Sequence, residues 1–213
     1  MKELKHFNAG HVWGKIIKAE EKETKDKHTP FVELEIDCGH PEHGNVRAYG
    51  RLWGREKAAL FLEYFKDHKD YVFRFKGYYG QYVDHGKRYS SYTFYDFMRP
   101  DEIYKAGAKN NEPRAAFILT GELTETGFDD DADPKLIMNV IRSGKEMSFE
   151  DSLEVFLFEL DGFYDIEPGD IIEVRGVLRK RSAEDFYGGS TDDAIKPYVM
   201  FLKKRRSVEK SAI

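Results

Sequence analysis

Between Phe31 and Cys38 the side chains alternate, with Val32, Leu34, Ile36 and Cys38 apolar and Glu33, Glu35 and Asp37 between them. Period two is the geometry of an extended strand with one buried face. The pattern returns from Val46 to Trp53, where Val46, Ala48, Gly50 and Leu52 share one face and Arg47, Tyr49, Arg51 and Trp53 the other. Further extended runs cover 12–19, 71–79 and 89–98, the last two facing each other across a turn near Asp84-His85-Gly86-Lys87. Only 55–67 changes period. There Ala58, Phe61, Leu62 and Phe65 fall at i, i+3, i+4 and i+7, the spacing of an amphipathic helix. The expected class is all-β with one or two short helices.

The strand order then repeats. Extended runs are expected at 117–123, 136–141, 153–158, 171–178 and 198–202, with a long insertion at 182–196. Val12-Trp13-Gly14-Lys15-Ile16 overlays Leu119-Thr120-Gly121-Glu122-Leu123, and Phe73-Arg74-Phe75-Lys76-Gly77 overlays Ile172-Glu173-Val174-Arg175-Gly176. The glycines fall where a strongly curved strand must bend. The stretch 101–113, with Gly107 and Asn110-Asn111, reads as a linker holding a short helical turn at 102–106. The expected organisation is a first unit at 1–100, a second at 114–206 and a tail at 207–213.

Composition narrows the function classes. The 213 residues carry a net charge of −5, so a simple basic-protein argument for nucleic acid fails. The charge is divided unevenly. Residues 1–100 hold 18 Lys and Arg against 15 Asp and Glu, and the remainder 16 against 24. A single cysteine cannot form an internal disulfide, so a reducing cytoplasm is the expected compartment. No apolar run reaches the roughly 18 residues of a membrane span, and no secretory leader is apparent at the N-terminus. Phosphate-loop, nucleophile-elbow and zinc-protease motifs are absent, so no catalytic role is expected.

Cys38, His40 and His43 lie within six residues and could supply a thiolate and two imidazoles to zinc, with His28 or Asp37 as a fourth ligand. No second Cys/His pair has finger spacing, and Cys38 fits the inward alternation. No metal and no cofactor are therefore expected. The acidic run 129–133 lacks the calcium-loop pattern and reads as solvated surface.

Five strands twice over, with a helix after the third strand of the first copy and only the short stretch 161–168 in its place in the second, and Pro168-Gly169-Asp170 opening an alternating strand that contains Gly176, together resemble the oligonucleotide-binding (OB) fold. The resemblance is to single-strand-binding proteins of bacteria and phages and to the tandem-barrel replication proteins of the replication-protein-A type. It covers about nine tenths of the chain, by pattern alone. It implies two tandem five-stranded OB barrels and single-stranded DNA laid over the outer face of strands two and three, with little sequence preference. RNA remains open as a ligand, and a homo-oligomer or replication and recombination proteins remain open as partners. In the first unit the implied contacts are Trp13, Lys15, Arg47, Tyr49, Arg51, Trp53, Arg74, Lys76, Tyr78, Tyr82, Lys87 and Arg88. In the second they are Phe156, Arg179 and Arg181.

Two other readings compete. The arginines of strand three could simply pair with Glu33, Glu35 and Asp37, and the rings could cover core. The −5 charge and the acidic second half also suit a protein-binding adaptor built on the same barrels.

Overall fold

The fold was read from a computed structural model. It describes residues 6–39, 45–105, 113–130, 132–143, 148–157, 162–180 and 195–206. The chain runs β1 (Phe7–Glu23), β2 (Pro30–Asp37), β3 (Arg47–Trp53), α1 (Arg55–Asp67), β4 (Val72–Asp84), β5 (Lys87–Met98) and α2 (Pro100–Lys105). It continues with β6 (Arg114–Phe128), β7 (Pro134–Ser143), β8 (Ser148–Leu157), β9 (Ile171–Lys180) and β10 (Ile195–Arg206). The all-β class expected from the alternation holds.

The pairings close twice. In the first half β1 joins β2, β2 joins β3, β3 joins β5, β5 joins β4 and β4 returns to β1. Every contact is antiparallel except β3 with β5, which closes the ring in parallel over Gly50–Tyr92 to Leu52–Phe94. The second half repeats this with β6, β7, β8, β10 and β9, and β8 with β10 is again the parallel closure. Ring one is plugged by α1, whose Phe61 meets Phe73, Phe75 and Phe97 edge-on. Among the described residues ring two has a 3-10 turn, Phe163–Asp165, in the same place in the chain.

The glycines that suggested duplication show why they are glycines. A Cβ on Gly14 would sit 2.1 Å from the Asp37 carbonyl oxygen, and one on Gly121 would sit 2.2 Å from that of Asn139. Gly77 and Gly176 have the same relation to the carbonyls of Thr93 and Tyr198, both at 2.2 Å. At all four positions a neighbouring strand crosses closer than any side chain permits.

The rings meet along β1 and β6, which pair antiparallel from Phe7–Thr120 to Trp13–Arg114. The two halves are offset by 107 in numbering, since Gly14 matches Gly121 and Phe7 matches Arg114. Under that offset the pairing maps onto itself, and Gly10 faces its own counterpart, Phe117. The contact is therefore a pseudo-twofold seam within one chain. Phe117 stacks on Tyr79 at 4.9 Å, and one apolar cluster runs through both rings.

The strands outrun their sequence signals. β1 extends to Glu23 because its polar end pairs with β2, where Lys22 holds Glu33. β4 and β5 run to a two-residue turn at His85 and Gly86, whose φ values of 47° and 78° suit a tight hairpin. Residues 106–112 of the expected linker and most of the 182–196 insertion lie outside the described residues.

Candidate nucleic-acid interface

Alternation in β3 turns Ala48, Gly50 and Leu52 into the core and Arg47, Tyr49 and Arg51 to solvent. Tyr49 is 47% exposed. Trp53 is half-buried and stacks on Phe31 at 4.8 Å, and the Arg51 guanidinium lies 5.3 Å from the Phe31 ring. The carboxylates of β2 answer the cations of β3. Arg47 donates to Glu35 at 2.8 Å, the Tyr49 hydroxyl reaches the same carboxylate at 3.4 Å, and Arg51 lies 3.6 Å from Glu33. Both arginines keep more than half of their side chains in water. Exposed pairs of this kind contribute only ~0–1 kcal/mol. They orient the guanidinium groups at little energetic cost to a competing phosphate.

The hairpin is a continuation of β5, the strand that pairs with β3. β5 pairs with β3 from Gly50–Tyr92 to Leu52–Phe94, and Tyr89 stands on β5 three residues before the first of these pairs. Tyr89 stacks on Tyr82 across the hairpin, centroids 5.4 Å apart, and both rings are about half exposed. Lys87 is exposed beside the turn. The other flank of the hairpin is fixed to ring two. The Gln81 side-chain amide donates to the Glu154 carbonyl at 2.7 Å and accepts from the Glu154 N–H at 2.8 Å, while Arg88 donates to the Ser152 carbonyl at 3.1 Å. Among the described residues β8 pairs with β10 only at Phe156 and Leu157, so these side chains cover backbone that β10 leaves open.

The other predicted contacts scatter. Lys15 is exposed on β1. Tyr78 is half-buried and packs against Tyr95 at 5.3 Å. Trp13 is only 7% exposed. Arg74 from β4 and Arg114 from β6 place their guanidinium carbons 4.5 and 4.6 Å from its ring, so the indole is already clamped. On the same outward face His11 is level with Lys76, and its ring lies 5.9 Å from that of Trp13. Burial, then Arg74, Lys76 and Arg114, hold the His11 imidazole below its ordinary value of 6.5, so it is neutral at pH 7. Phe156 is 5% exposed, with the Lys196 ammonium 5.2 Å from its ring and Tyr198 beside it. Arg179 is half-buried on β9 opposite Lys196. Arg181 lies outside the described residues.

The Cys38 side chain is buried and its thiol contacts the Ile36 carbonyl at 3.7 Å. Burial pushes the thiol far up, so it stays protonated. His40 and His43 lie outside the described residues. The acidic run is not plain solvated surface. Asp129 binds Lys196 at 2.7 Å, and the buried Asp133 accepts from the Tyr198 hydroxyl at 2.9 Å.

On ring two Glu173 occupies the position of Arg74. It is nearly buried and held by Arg205 and Arg175. These bonds, Arg205 first, hold its carboxyl below the ordinary 4.5. Its stabilising contribution is therefore present above about pH 4.5 and lost as the pH falls through the folded-state value. Glu173→Gln is expected to lower stability at pH 7 and to flatten the acid limb of a thermal-melt pH profile. An acid limb identical to wild type would show that the pair contributes nothing.

Gln81, His11 and Arg114 escaped the sequence reading. His11 stands two residues from Trp13 on the same strand face, so alternation could have found it. Gln81 and Arg114 gain their roles from pairing across 73 and 101 positions, which carries no local signal.

Taken together, a closed five-stranded sheet with this order, a helix after the third strand and an outward aromatic and cationic third strand belongs to the OB class. No family model matches the sequence, and no curated protein matches it. Among solved structures, the wild-type single-stranded DNA binding protein from Thermus aquaticus is similar over 98% of both chains, at 16% identity and a TM-score of 0.57. A deletion mutant of that protein, which also carries an arginine-to-alanine substitution, is similar over 95% of this chain and 96% of its own, at 13% identity and a TM-score of 0.56.

Proposed function

We propose that this chain is a single-stranded DNA-binding protein that holds the strand on the outward face of β3 and along the β4–β5 hairpin. The observation that carries the proposal is the display of exposed Arg47, Tyr49 and Arg51 on one face of β3, beside a strand whose hairpin carries the stacked, exposed Tyr82–Tyr89 pair. Guanidinium groups meet phosphate and rings meet bases, a pairing that tolerates any sequence. The likeness to the Thermus aquaticus single-stranded DNA binding protein supports this reading. Protection of exposed strands during replication, recombination or repair is the role such chemistry would serve.

Salt tests the electrostatic part. Four contacts, for instance from Arg47, Arg51, Lys87 and Lys15, give an expected slope of about −3 in log affinity against log salt for a single strand. Oligo(dT) affinity that stays flat from low to moderate salt would remove phosphate from the interface. Binding to no nucleic acid would favour the adaptor reading.

A further inference from the structure

Ring one carries a second concentration of cations, away from β3, on the outward face of the seam. Arg74 on β4, Trp13 on β1 and Arg114 on β6 form one row across three paired strands, and Lys76 and His11 form the next. Among the described residues none of these five side chains has a carboxylate partner. The indole N–H of Trp13, Nδ1 of His11 and Nε of both arginines are buried and find no hydrogen-bond partner there either. Buried donors in folded chains are normally satisfied.

The second half provides an internal comparison. Glu173 matches Arg74 and Arg175 matches Lys76, since Gly176 matches Gly77. That half of the seam holds a carboxylate among its cations, because Glu173 closes ion pairs with Arg175 and Arg205. The two rows share backbone and register but not charge.

We propose that the β4–β1–β6 seam binds a phosphodiester group of the bound strand, through the Arg74 and Arg114 guanidinium groups that the Trp13 ring holds in place, with Lys76 alongside. Planar guanidinium groups anchored on an aromatic ring present fixed donors to a phosphate. The alternative anion is a carboxylate from a second copy of this chain. It is disfavoured because Glu173, the acid of the matching row, is already held by two arginines. This site rests on the single-strand reading above for the source of its phosphate.

The test compares wild type with the double variant Arg74→Gln/Arg114→Gln. Each is titrated with long oligo(dT) across a salt series, and each is melted in inorganic phosphate and in chloride at equal ionic strength. The slope against salt is expected to shrink by about 0.7 for each phosphate that the variant no longer neutralises. The extra thermal stabilisation that phosphate gives wild type is expected to vanish. Arg74→Lys/Arg114→Lys keeps the charge and is expected to hold the slope, which a packing role on Trp13 would not explain. Should the double variant fail to fold, Lys76→Gln leaves the clamp intact and is expected to lose part of the slope.

An unchanged slope in the glutamine variants overturns the site. So does a loss of self-association with no change of slope, which would give the seam to a second copy. If wild type binds no oligo(dT), the β3 reading fails. The seam is then judged by inorganic phosphate alone: stabilisation that is absent in wild type, or retained in the variants, overturns it.

Discussion

Replacing Tyr49 and Tyr82 together by alanine is expected to weaken oligo(dT) binding by about thirtyfold or more, with the melting temperature nearly unchanged. A base stacked on an aromatic ring contributes ~1–3 kcal/mol, and even the low end for two rings gives about 2 kcal/mol. Both rings are about half exposed, so little folding energy depends on them. Fluorescence anisotropy of labelled oligo(dT) measures the loss. A change of less than about threefold would mean that neither ring stacks on a base. Arg47→Ala with Arg51→Ala should act differently, reducing the salt slope by about 1.4 for two phosphate contacts. The two pairs of variants thus separate stacking from charge on the same face.

Gly77→Ala is expected to destabilise the protein by about 3 kcal/mol or more, while Gly80→Ala, three residues along the same strand, is tolerated. The added methyl at position 77 would meet the Thr93 carbonyl oxygen at 2.2 Å and the Phe94 Cα at 2.8 Å, both backbone. Overpacking in a core typically costs about 1–3 kcal/mol, and a backbone neighbour cannot rotate away. At position 80 the nearest atom is the Ser91 hydroxyl oxygen at 3.7 Å, an ordinary contact. Alanine there should be neutral or stabilise slightly by restricting the unfolded chain. Chemical denaturation distinguishes them. Equal stability of the two variants would contradict the close strand crossing, and Gly176→Ala should behave like Gly77→Ala because Tyr198 repeats the contact.

The fold was legible where one face of a strand is buried and the other wet. β2, β3 and α1 fall within a residue or so of their sequence signals, and Gly14, Gly77, Gly121 and Gly176 marked the repeat because the same backbone crossing recurs. The ends of β1, β4 and β6 were not legible. There polar residues lie on both faces of two-stranded ribbons, and alternation loses its contrast. The outward face of β3 followed directly from period two. Trp13 shows the limit of reading contacts from the resemblance, because two arginines from neighbouring strands cover the ring that it offered to a base. Phe156 was covered in the same way by Lys196. Gln81 and Arg88 joined the hairpin to β8 through contacts that no local pattern announces.

The second half therefore bears on the proposed interface differently from the first. The outward position of β8 that matches Tyr49 carries Glu154, and the backbone of Glu154 anchors the hairpin of ring one. Ring two holds the flank of the hairpin through Gln81 and Arg88 instead of offering a copy of the β3 surface.

The most direct measurement is equilibrium binding of the full chain to labelled oligo(dT), competed with unlabelled single strand and with duplex of equal length. Bases must be unstacked to reach Tyr49, Tyr82 and Tyr89, so single strand should displace the label while duplex displaces it only weakly. Equal competition by the duplex, or no binding of oligo(dT) at low salt, would contradict a single-strand interface on β3 and the hairpin.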